Sequence, residues 1–174
     1  MNKITAIVLA AGSGSRMKSK TKKQFMEIKG KPVIWYSLFE FEKSRVDEII
    51  LVTGKEDIDY CKKEIVEKYN LKKIKNVVAG GSERYESVYN GLKEVTGNIV
   101  LIHDGARPLI NNEIIERINT IAQALILALF SLNDILIFIK PAYAIHIPII
   151  ILTIEANVFE CVIISIPNNI ATIP

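Results

Sequence analysis

The sequence predicts an α/β domain in which a mostly parallel sheet carries helices on both faces. Strand-like and helix-like segments alternate about four times along the first part of the chain. Several strand segments are continuously apolar, which is typical of strands buried on both faces. At 174 residues the chain is long enough for one domain with a sizeable core.

The first predicted strand begins at Ile4 and ends at Val8. It leads into residues 9–17, Leu-Ala-Ala-Gly-Ser-Gly-Ser-Arg-Met, a loop of small residues followed by a cation. Small residues let backbone N–H groups approach an anion closely, and a guanidinium pairs with phosphate oxygens. The loop is therefore a candidate phosphate-binding site, while an ordinary strand-to-helix turn is the alternative interpretation.

The elements that follow continue the alternation. They are a helix after Pro32, a strand over 46–53, a helical face over 58–69, a strand over 76–79, a helix over 82–95 with Ser82 as N-cap, a strand over 99–103 and a helix that includes Ile114. Ligands of such sheets bind beyond the carboxyl ends of the strands. We expect three strand ends to form one crevice: the loop after Leu9, Gly80-Gly81-Ser82 and His103-Asp104.

Three motifs carry a family resemblance. The first loop is neither a P-loop nor a dinucleotide fingerprint, because Met17 stands where the third glycine would fall. With Lys23-Gln24-Phe25 after it, with Gly80-Gly81-x-x-Arg84-x-x-Ser87-Val88 and with His-Asp-Gly-Ala-Arg-Pro at 103–108, it resembles the 2-C-methyl-D-erythritol 4-phosphate cytidylyltransferase family. The resemblance covers residues 4 to about 119. One departure is Lys22, where that family usually has proline.

The resemblance implies a Rossmann-like three-layer αβα nucleotidyltransferase fold. It also implies transfer of CMP from CTP to 2-C-methyl-D-erythritol 4-phosphate, with release of pyrophosphate, in non-mevalonate isoprenoid synthesis. The attacking phosphate is ionised at neutral pH, so catalysis depends on placed cations rather than on a general base. Arg16 and Lys23 are the expected catalytic residues. The alternatives are a ribitol 5-phosphate cytidylyltransferase and an inactive CTP-binding or membrane-tethered remnant.

The resemblance also implies the binding residues. Asp104 is expected to hold Mg²⁺ or another divalent cation, and Asp104 and Arg107 are expected to contact the substrate. A turn-capping role for Asp104 and a surface ion pair for Arg107 are the alternatives. His103 is expected to be structural, because the reaction needs neither an acid nor a base. The expected nucleotide-binding residues are Ala10, Ala11, Gly12, Gly14, Gly80, Gly81, Ser82 and Ser87, of which the last four resemble a cytosine pocket.

The composition changes near residue 119. All nine glycines precede Arg107, and the charged residues from 120 onward are only Asp134, Lys140, Glu155 and Glu160. We therefore divide the chain into a nucleotide-binding core, 1–119, and an isoleucine-rich tail, 120–174, of the same domain. The tail lacks the family's later motifs and its recognisable dimerising arm. Our hypothesis is that it is a frame-shifted extension of the coding sequence, which resequencing of the DNA would test.

Charge and cysteine content limit the partners and the compartment. The net charge of +3 fits anionic small molecules and does not argue for nucleic acid. Cys61 and Cys161 have no metal-type spacing, and the first residues lead directly into a strand without a signal peptide. The apolar runs of the tail are short and interrupted, so a membrane anchor is not expected. These features predict a cytoplasmic protein, and the family resemblance implies a homodimer.

Overall fold

The computed structural model of the protein describes residues 2–12, 21–136, 154–156, 159–161 and 163–165. Gly14 and Arg16, two of the predicted site residues, lie outside the described residues, as does most of the tail.

A five-stranded sheet with the order β5-β4-β1-β6-β9 forms the centre of the fold. Its first strand, β1, lies between β4 and β6 and is parallel to both, and β5 is parallel to β4. Among the described strands of this sheet, only the edge strand β9 runs antiparallel, against β6, which confirms the mostly parallel sheet. The strands are β1 Ile4–Ala10, β2 Glu27–Ile28, β3 Lys31–Pro32, β4 Glu48–Thr53, β5 Ile74–Ala79, β6 Ile99–Asp104, β7 Ile154–Ala156, β8 Phe159–Cys161 and β9 Ile163–Ser165.

The helices occupy the connections that the sequence predicts. Two 3-10 turns, at Lys23–Phe25 and Lys55–Asp57, accompany them, and α2 continues directly into a π-helical segment at Cys61–Glu67. The helical face predicted over 58–69 is therefore a composite of three helix types. The α-helices are α1 Val33–Lys43, α2 Ile58–Tyr60, α3 Arg84–Leu92 and α4 Asn112–Leu136.

The start of α3 differs from the prediction. Its N-cap is Glu83 rather than Ser82, because Glu83 and Glu86 form a reciprocal capping box. Ser82 lies one residue earlier, and its backbone N–H and hydroxyl both donate to the Glu86 carboxylate. The prediction of Ser82 as N-cap is wrong because the carboxylate of Glu86, at the third helical position, accepts hydrogen bonds from the N–H groups of Ser82 and Glu83, which have no partner within the helix.

The core lies on both faces of the sheet, as the apolar strands predict. On one face, Ile34, Leu38 and Phe41 of α1 pack in the larger cluster. On the other, Val88 and Leu92 of α3 pack against a smaller cluster of strand residues. Burying each large apolar side chain contributes roughly 1.5–3 kcal/mol. The central strand β1 is thus held from both sides, which fixes the point at which the first loop begins.

The boundary predicted after Asn119 falls inside α4, and β9 of the tail pairs with β6 in the central sheet. The division of the chain stays a prediction. Within the part of the chain that the structure describes, none of the helices combines the length and the apolar character needed to cross a membrane.

Candidate functional site

A cleft of about 600 Å³ lies at the carboxyl ends of β1 and β6, beside the N-terminus of α3. The structure brings together here the three strand ends that the sequence singles out. Three predicted residues, Ala10, Gly80 and Arg107, lie beside this lining rather than in it. The predicted residues that line the cleft are Ala11, Gly12, Lys23, Gly81, Ser82, Ser87 and Asp104.

One side of the cleft is the lysine wall, which we define as residues 22–25. Lys23 is exposed and lines the cleft, and its side chain makes no ion pair with another described residue. Its neighbour Gln24 is 1% exposed and donates from Nε2 to the backbone oxygens of Ala10 at 2.7 Å and Gly12 at 3.0 Å. The side chain of Gln24 therefore ties the wall to the glycine loop, a role that its sequence position did not reveal.

The remaining two residues of the lysine wall point toward the segment after β4. The Phe25 ring packs edge-on against Tyr60, with ring centroids 5.0 Å apart. The Lys22 ammonium donates hydrogen bonds to Glu56 and to Asp57. Partial burial lowers the pKa of Lys22, but the bonds to Asp57 and Glu56 outweigh this effect and raise its pKa above the usual value. Lys22 is therefore charged and paired, whereas Lys23 is exposed in the cleft.

The opposite side is the arginine wall, which we define as Arg84, Asp104 and Arg107. Arg84 Nη2 lies 3.4 Å from Asp104 Oδ1, and Arg107 Nε lies 3.2 Å from Asp104 Oδ2. Both carboxylate oxygens of Asp104 therefore face a guanidinium. Of the two arginines, Arg84 lines the cleft, whereas the sequence predicts Arg107 as the contact of the substrate.

At the end of β5, the first glycine of the Gly80-Gly81 pair lies too close to its neighbours to carry a side chain. A Cβ on Gly80 would lie 2.4 Å from the Cβ of Ala11 and 2.7 Å from Ser87 Oγ. The Ser87 hydroxyl accepts a hydrogen bond from Gly81 N–H at 3.1 Å and donates to the Glu83 carbonyl oxygen at 3.2 Å. Ala11, Gly80 and Ser87 therefore lie close together beside the cleft, and Gly81, Ser82 and Ser87 line it.

Glu86 holds the rest of this loop. Its Oε2 accepts bonds from Ser82 N–H at 2.7 Å, from Ser82 Oγ at 2.8 Å and from Glu83 N–H at 3.3 Å. The hydrogen bond from the Ser82 side chain, with those from the backbone, lowers the pKa of Glu86. Sequence reasoning missed Glu86; the capping-box spacing of two glutamates three residues apart was the signal that could have found it.

His103 is fully buried at the end of β6. Its Nε2 lies 3.1 Å from the backbone oxygen of Arg107 and 3.2 Å from Ser37 Oγ. Burial lowers the pKa of His103 to about 4, so the ring is neutral at pH 7. This geometry agrees with a structural role in holding the turn that carries Asp104 and Arg107.

The side chains fit a divalent cation that arrives with a ligand. Among the described residues there is no cluster of three or more His, Cys, Asp or Glu side chains that could hold a metal by itself. Mg²⁺ in nucleotide sites, however, is often held by one or two carboxylates together with substrate phosphates and water. Asp104 supplies one such carboxylate in the cleft, and its arginine partners would have to yield to the metal.

Glycine-lined strand ends, an exposed lysine and the Asp104 carboxylate around one cleft of an αβα sheet fit the class of nucleotide-binding α/β proteins. Comparison with known proteins gives the particular family. The family model described as "IspD: 2-C-methyl-D-erythritol 4-phosphate cytidylyltransferase" matches residues 4–145, more than half of the chain. The chain belongs to the 2-C-methyl-D-erythritol 4-phosphate cytidylyltransferase family, and the match extends beyond Asn119 into the tail.

Named relatives agree with this family. The 2-C-methyl-D-erythritol 4-phosphate cytidylyltransferase of Clostridium acetobutylicum is 56% identical over 113 residues, 64% of this chain and 49% of that protein. The enzyme of the same name from Lachnoclostridium phytofermentans is 54% identical over 119 residues, 68% of this chain and 51% of that protein. The chain thus spans about half the length of the curated relatives it matches.

A solved structure agrees with the fold. The crystal structure of 4-diphosphocytidyl-2C-methyl-D-erythritol synthase from Anaerococcus prevotii is 37% identical, with a TM-score of 0.57. The match covers 69% of this chain and 51% of that one. The family and the three-layer fold predicted from the motifs are therefore confirmed, while the roles of the individual site residues stay predictions.

Proposed function

We propose that the chain transfers CMP from CTP to 2-C-methyl-D-erythritol 4-phosphate and releases pyrophosphate, a step of non-mevalonate isoprenoid synthesis. The observation that carries this proposal is the cleft itself. Lys23 lies in its lining together with Asp104 and the loop of Gly81, Ser82 and Ser87. Family membership supports the choice of CTP and of this polyol phosphate.

The chemical step is an in-line attack by a phosphate oxygen of the acceptor on the α-phosphorus of CTP. A P–O bond to the acceptor forms, the bond to the β-phosphate oxygen breaks, and pyrophosphate leaves with that electron pair. Lys23 would neutralise charge on the triphosphate, and Arg16 has the same proposed role, although it lies outside the described residues. Such electrostatic stabilisation is usually the largest contribution to this chemistry. His103 is buried and is absent from the cleft lining, which supports a mechanism in which it acts neither as acid nor as base.

A divalent cation, Mg²⁺ in our proposal, would be held by Asp104 and would neutralise charge on the transferred phosphate. Asp104 and Arg107 are also the proposed contacts of the acceptor. For the nucleotide, Gly12 and Gly14 are proposed to cradle the phosphates with Ala10 and Ala11. The base would lie against Gly80, Gly81, Ser82 and Ser87. A cytoplasmic location and a homodimer are further parts of the proposal, and they rest on the family alone.

The test is an assay with the full chain, CTP and Mg²⁺. Pyrophosphate release is measured with 2-C-methyl-D-erythritol 4-phosphate, with ribitol 5-phosphate and with no acceptor. We expect release with the first acceptor only. Release with ribitol 5-phosphate only would overturn the acceptor. Binding of CTP in calorimetry without release in any arm would favour the inactive remnant, an alternative suggested by the isoleucine-rich composition of the tail.

A further inference from the structure

The Lys22 clamp, which we define as Lys22, Glu56, Asp57 and Gly54, joins the lysine wall to the end of β4. Lys22 Nζ donates to Glu56 Oε1 and, at 2.5 Å, to Asp57 Oδ2. The side chains of Lys22 and Asp57 are 23% and 17% exposed, whereas that of Glu56 is 69% exposed. Asp57 is therefore the shielded partner, and its ion pair is less screened by solvent than an ordinary surface pair.

Space for these charged tips is provided by a glycine. A Cβ on Gly54 would lie 2.7 Å from Asp57 Oδ2, 3.0 Å from Glu56 Oε1 and 3.1 Å from Lys22 Nζ. The φ of Gly54 is −58°, which any residue can adopt, so the backbone does not require glycine here. A side chain at this position would displace the three charged tips while meeting no backbone atom among its nearest neighbours.

The backbone of Lys22 is held in an extended conformation, with φ −61° and ψ 141°. This is the polyproline II region, and its φ is the value at which a proline ring is fixed. The carbonyl of Lys22 then accepts the Phe25 N–H at 2.9 Å, which closes the 3-10 turn that presents Lys23. The turn therefore requires a proline-like conformation at a residue that has no ring to impose it.

We propose that the Lys22 clamp positions Lys23 in the cleft by fixing the extended backbone of Lys22, whose φ a proline ring would otherwise fix. Lys22 is thus a positioning residue and not a contact of the substrate. The three other side chains of the lysine wall hold it in different directions: Lys22 toward Asp57, Gln24 toward the glycine loop and Phe25 toward Tyr60. The inference rests on the proposed function only for its turnover readout.

The structural readout is hydrogen–deuterium exchange of the Phe25 and Met26 amides, which donate to the Lys22 and Lys23 carbonyl oxygens. Exchange in Lys22→Ala and in Asp57→Asn is expected to rise by about ten-fold because the turn opens locally more often. Gly54→Ala, which keeps every charged group, is expected to act in the same direction. Lys22→Pro is expected to restore protection. Lys68→Ala, which removes an exposed ion pair with Glu64, is the matched control and should leave the exchange of these amides unchanged.

The functional readout is turnover with CTP, Mg²⁺ and the polyol phosphate. Lys22→Ala and Asp57→Asn should each lower kcat by about ten-fold, with KM for CTP changed less, because misplacing a catalytic group costs rate. Lys22→Pro should recover kcat. If the Lys22 charge instead acted on the triphosphate, Asp57→Asn would keep turnover and Lys22→Pro would not restore it, and the proposal would be overturned.

The two readouts separate this proposal from the proposed function. Unchanged amide exchange in Lys22→Ala, Asp57→Asn and Gly54→Ala overturns the clamp even if the chain turns over CTP. Faster exchange in all three with protection regained in Lys22→Pro supports the clamp even if the chain proves inactive.

Discussion

The two walls of the cleft treat their charges differently. In the lysine wall, Lys22 is paired on the side away from the cleft, and Lys23 is exposed within it with no ion pair to another described residue. In the arginine wall, Asp104 lies between Arg84 and Arg107, so opposite charges are paired with one another within the wall itself. Because of this difference, an anion can bind at Lys23 without breaking an ion pair among the described residues. In the arginine wall, a cation or a phosphate can bind only if the ion pairs of Asp104 with Arg84 and Arg107 are broken.

The two walls also differ in how firmly they are held. Buried groups anchor the lysine wall, since Gln24 is 1% and Phe25 is 9% exposed. The arginine pairs are half-exposed, with N···O distances of 3.2 and 3.4 Å, and such pairs contribute only about 0–1 kcal/mol. We therefore expect substitutions in the lysine wall to cost rate directly and those in the arginine wall to alter the dependence on the cation.

The largest effect is expected for Lys23→Ala. Removing a cation placed at the phosphates should lower kcat by about 10²–10³. The measurement is pyrophosphate release at saturating CTP. Lys68→Ala is the control, because it removes the same charge from the chain as Lys23→Ala. Equal turnover in Lys23→Ala and the control would contradict the proposed role of the lysine wall, because the exposed lysine would then have no catalytic role.

Asp104→Asn is expected to lower turnover by a smaller factor, about ten-fold to 100-fold at low Mg²⁺, because one charged metal ligand is lost. Raising the Mg²⁺ concentration should recover part of the rate, and this recovery distinguishes the arginine wall from the lysine wall. Glu64→Gln, which removes an exposed, ion-paired carboxylate elsewhere, is the control. An Asp104→Asn rate that is low and independent of Mg²⁺ would contradict the metal role.

Gly80→Ala is expected to weaken CTP binding by about ten-fold, because its Cβ would force the Ala11 and Ser87 sides apart. Competition by inorganic triphosphate should change less, since the phosphates are proposed to bind at the lysine wall. Calorimetric titration measures both. Tight CTP binding by the variant would show that the close approach of β1 and β5 is not needed for the base.

Glu48 lies at the amino ends of the strands, away from both walls, and should affect stability alone. Burial raises the pKa of its carboxyl, but hydrogen bonds from Lys3, Thr5 and Thr96 outweigh burial and lower it from 4.5 to about 2. The folded pKa is depressed, so the contribution of roughly 3 kcal/mol is complete above pH 4.5 and is lost as pH falls toward 2.

Denaturant unfolding of Glu48→Gln checks this contribution. The variant should be less stable at pH 7, and its difference from the parent should shrink between pH 4.5 and pH 2. A difference that stays constant over this range would contradict the lowered pKa of Glu48. Turnover per folded molecule should match that of the parent at pH 7.

Local patterns predict most of the sheet and fewer of its details. The apolar runs of β1, β4 and β6 were readable because both faces of each strand are buried. The π-helical segment at Cys61–Glu67 was not, because its apolar positions also fit an α-helix. The pairing of β9 with β6 depends on contacts between residues far apart in the chain, which no periodicity encodes.

The site shows the same limit. Motif spacing identified Lys23, Asp104 and the glycine pair, and the structure places all of them at one cleft or directly beside it. The spacing did not reveal Glu56 and Asp57 as partners of Lys22, since more than thirty residues separate them. Nor did it reveal that Arg84 rather than Arg107 lines the cleft, because only the packing of α3 decides this.

The most direct test of the proposed division of the cleft, with the phosphates at the lysine wall and the base at the glycine pair, is a set of calorimetric affinities for CTP, CMP and UTP. They are measured for the parent, for Lys23→Ala and for Gly80→Ala. The division predicts that Lys23→Ala reduces the preference for CTP over CMP and keeps the preference for CTP over UTP, and that Gly80→Ala does the reverse. If both variants reduce the same preference, the phosphates and the base are not bound by separate parts of the cleft.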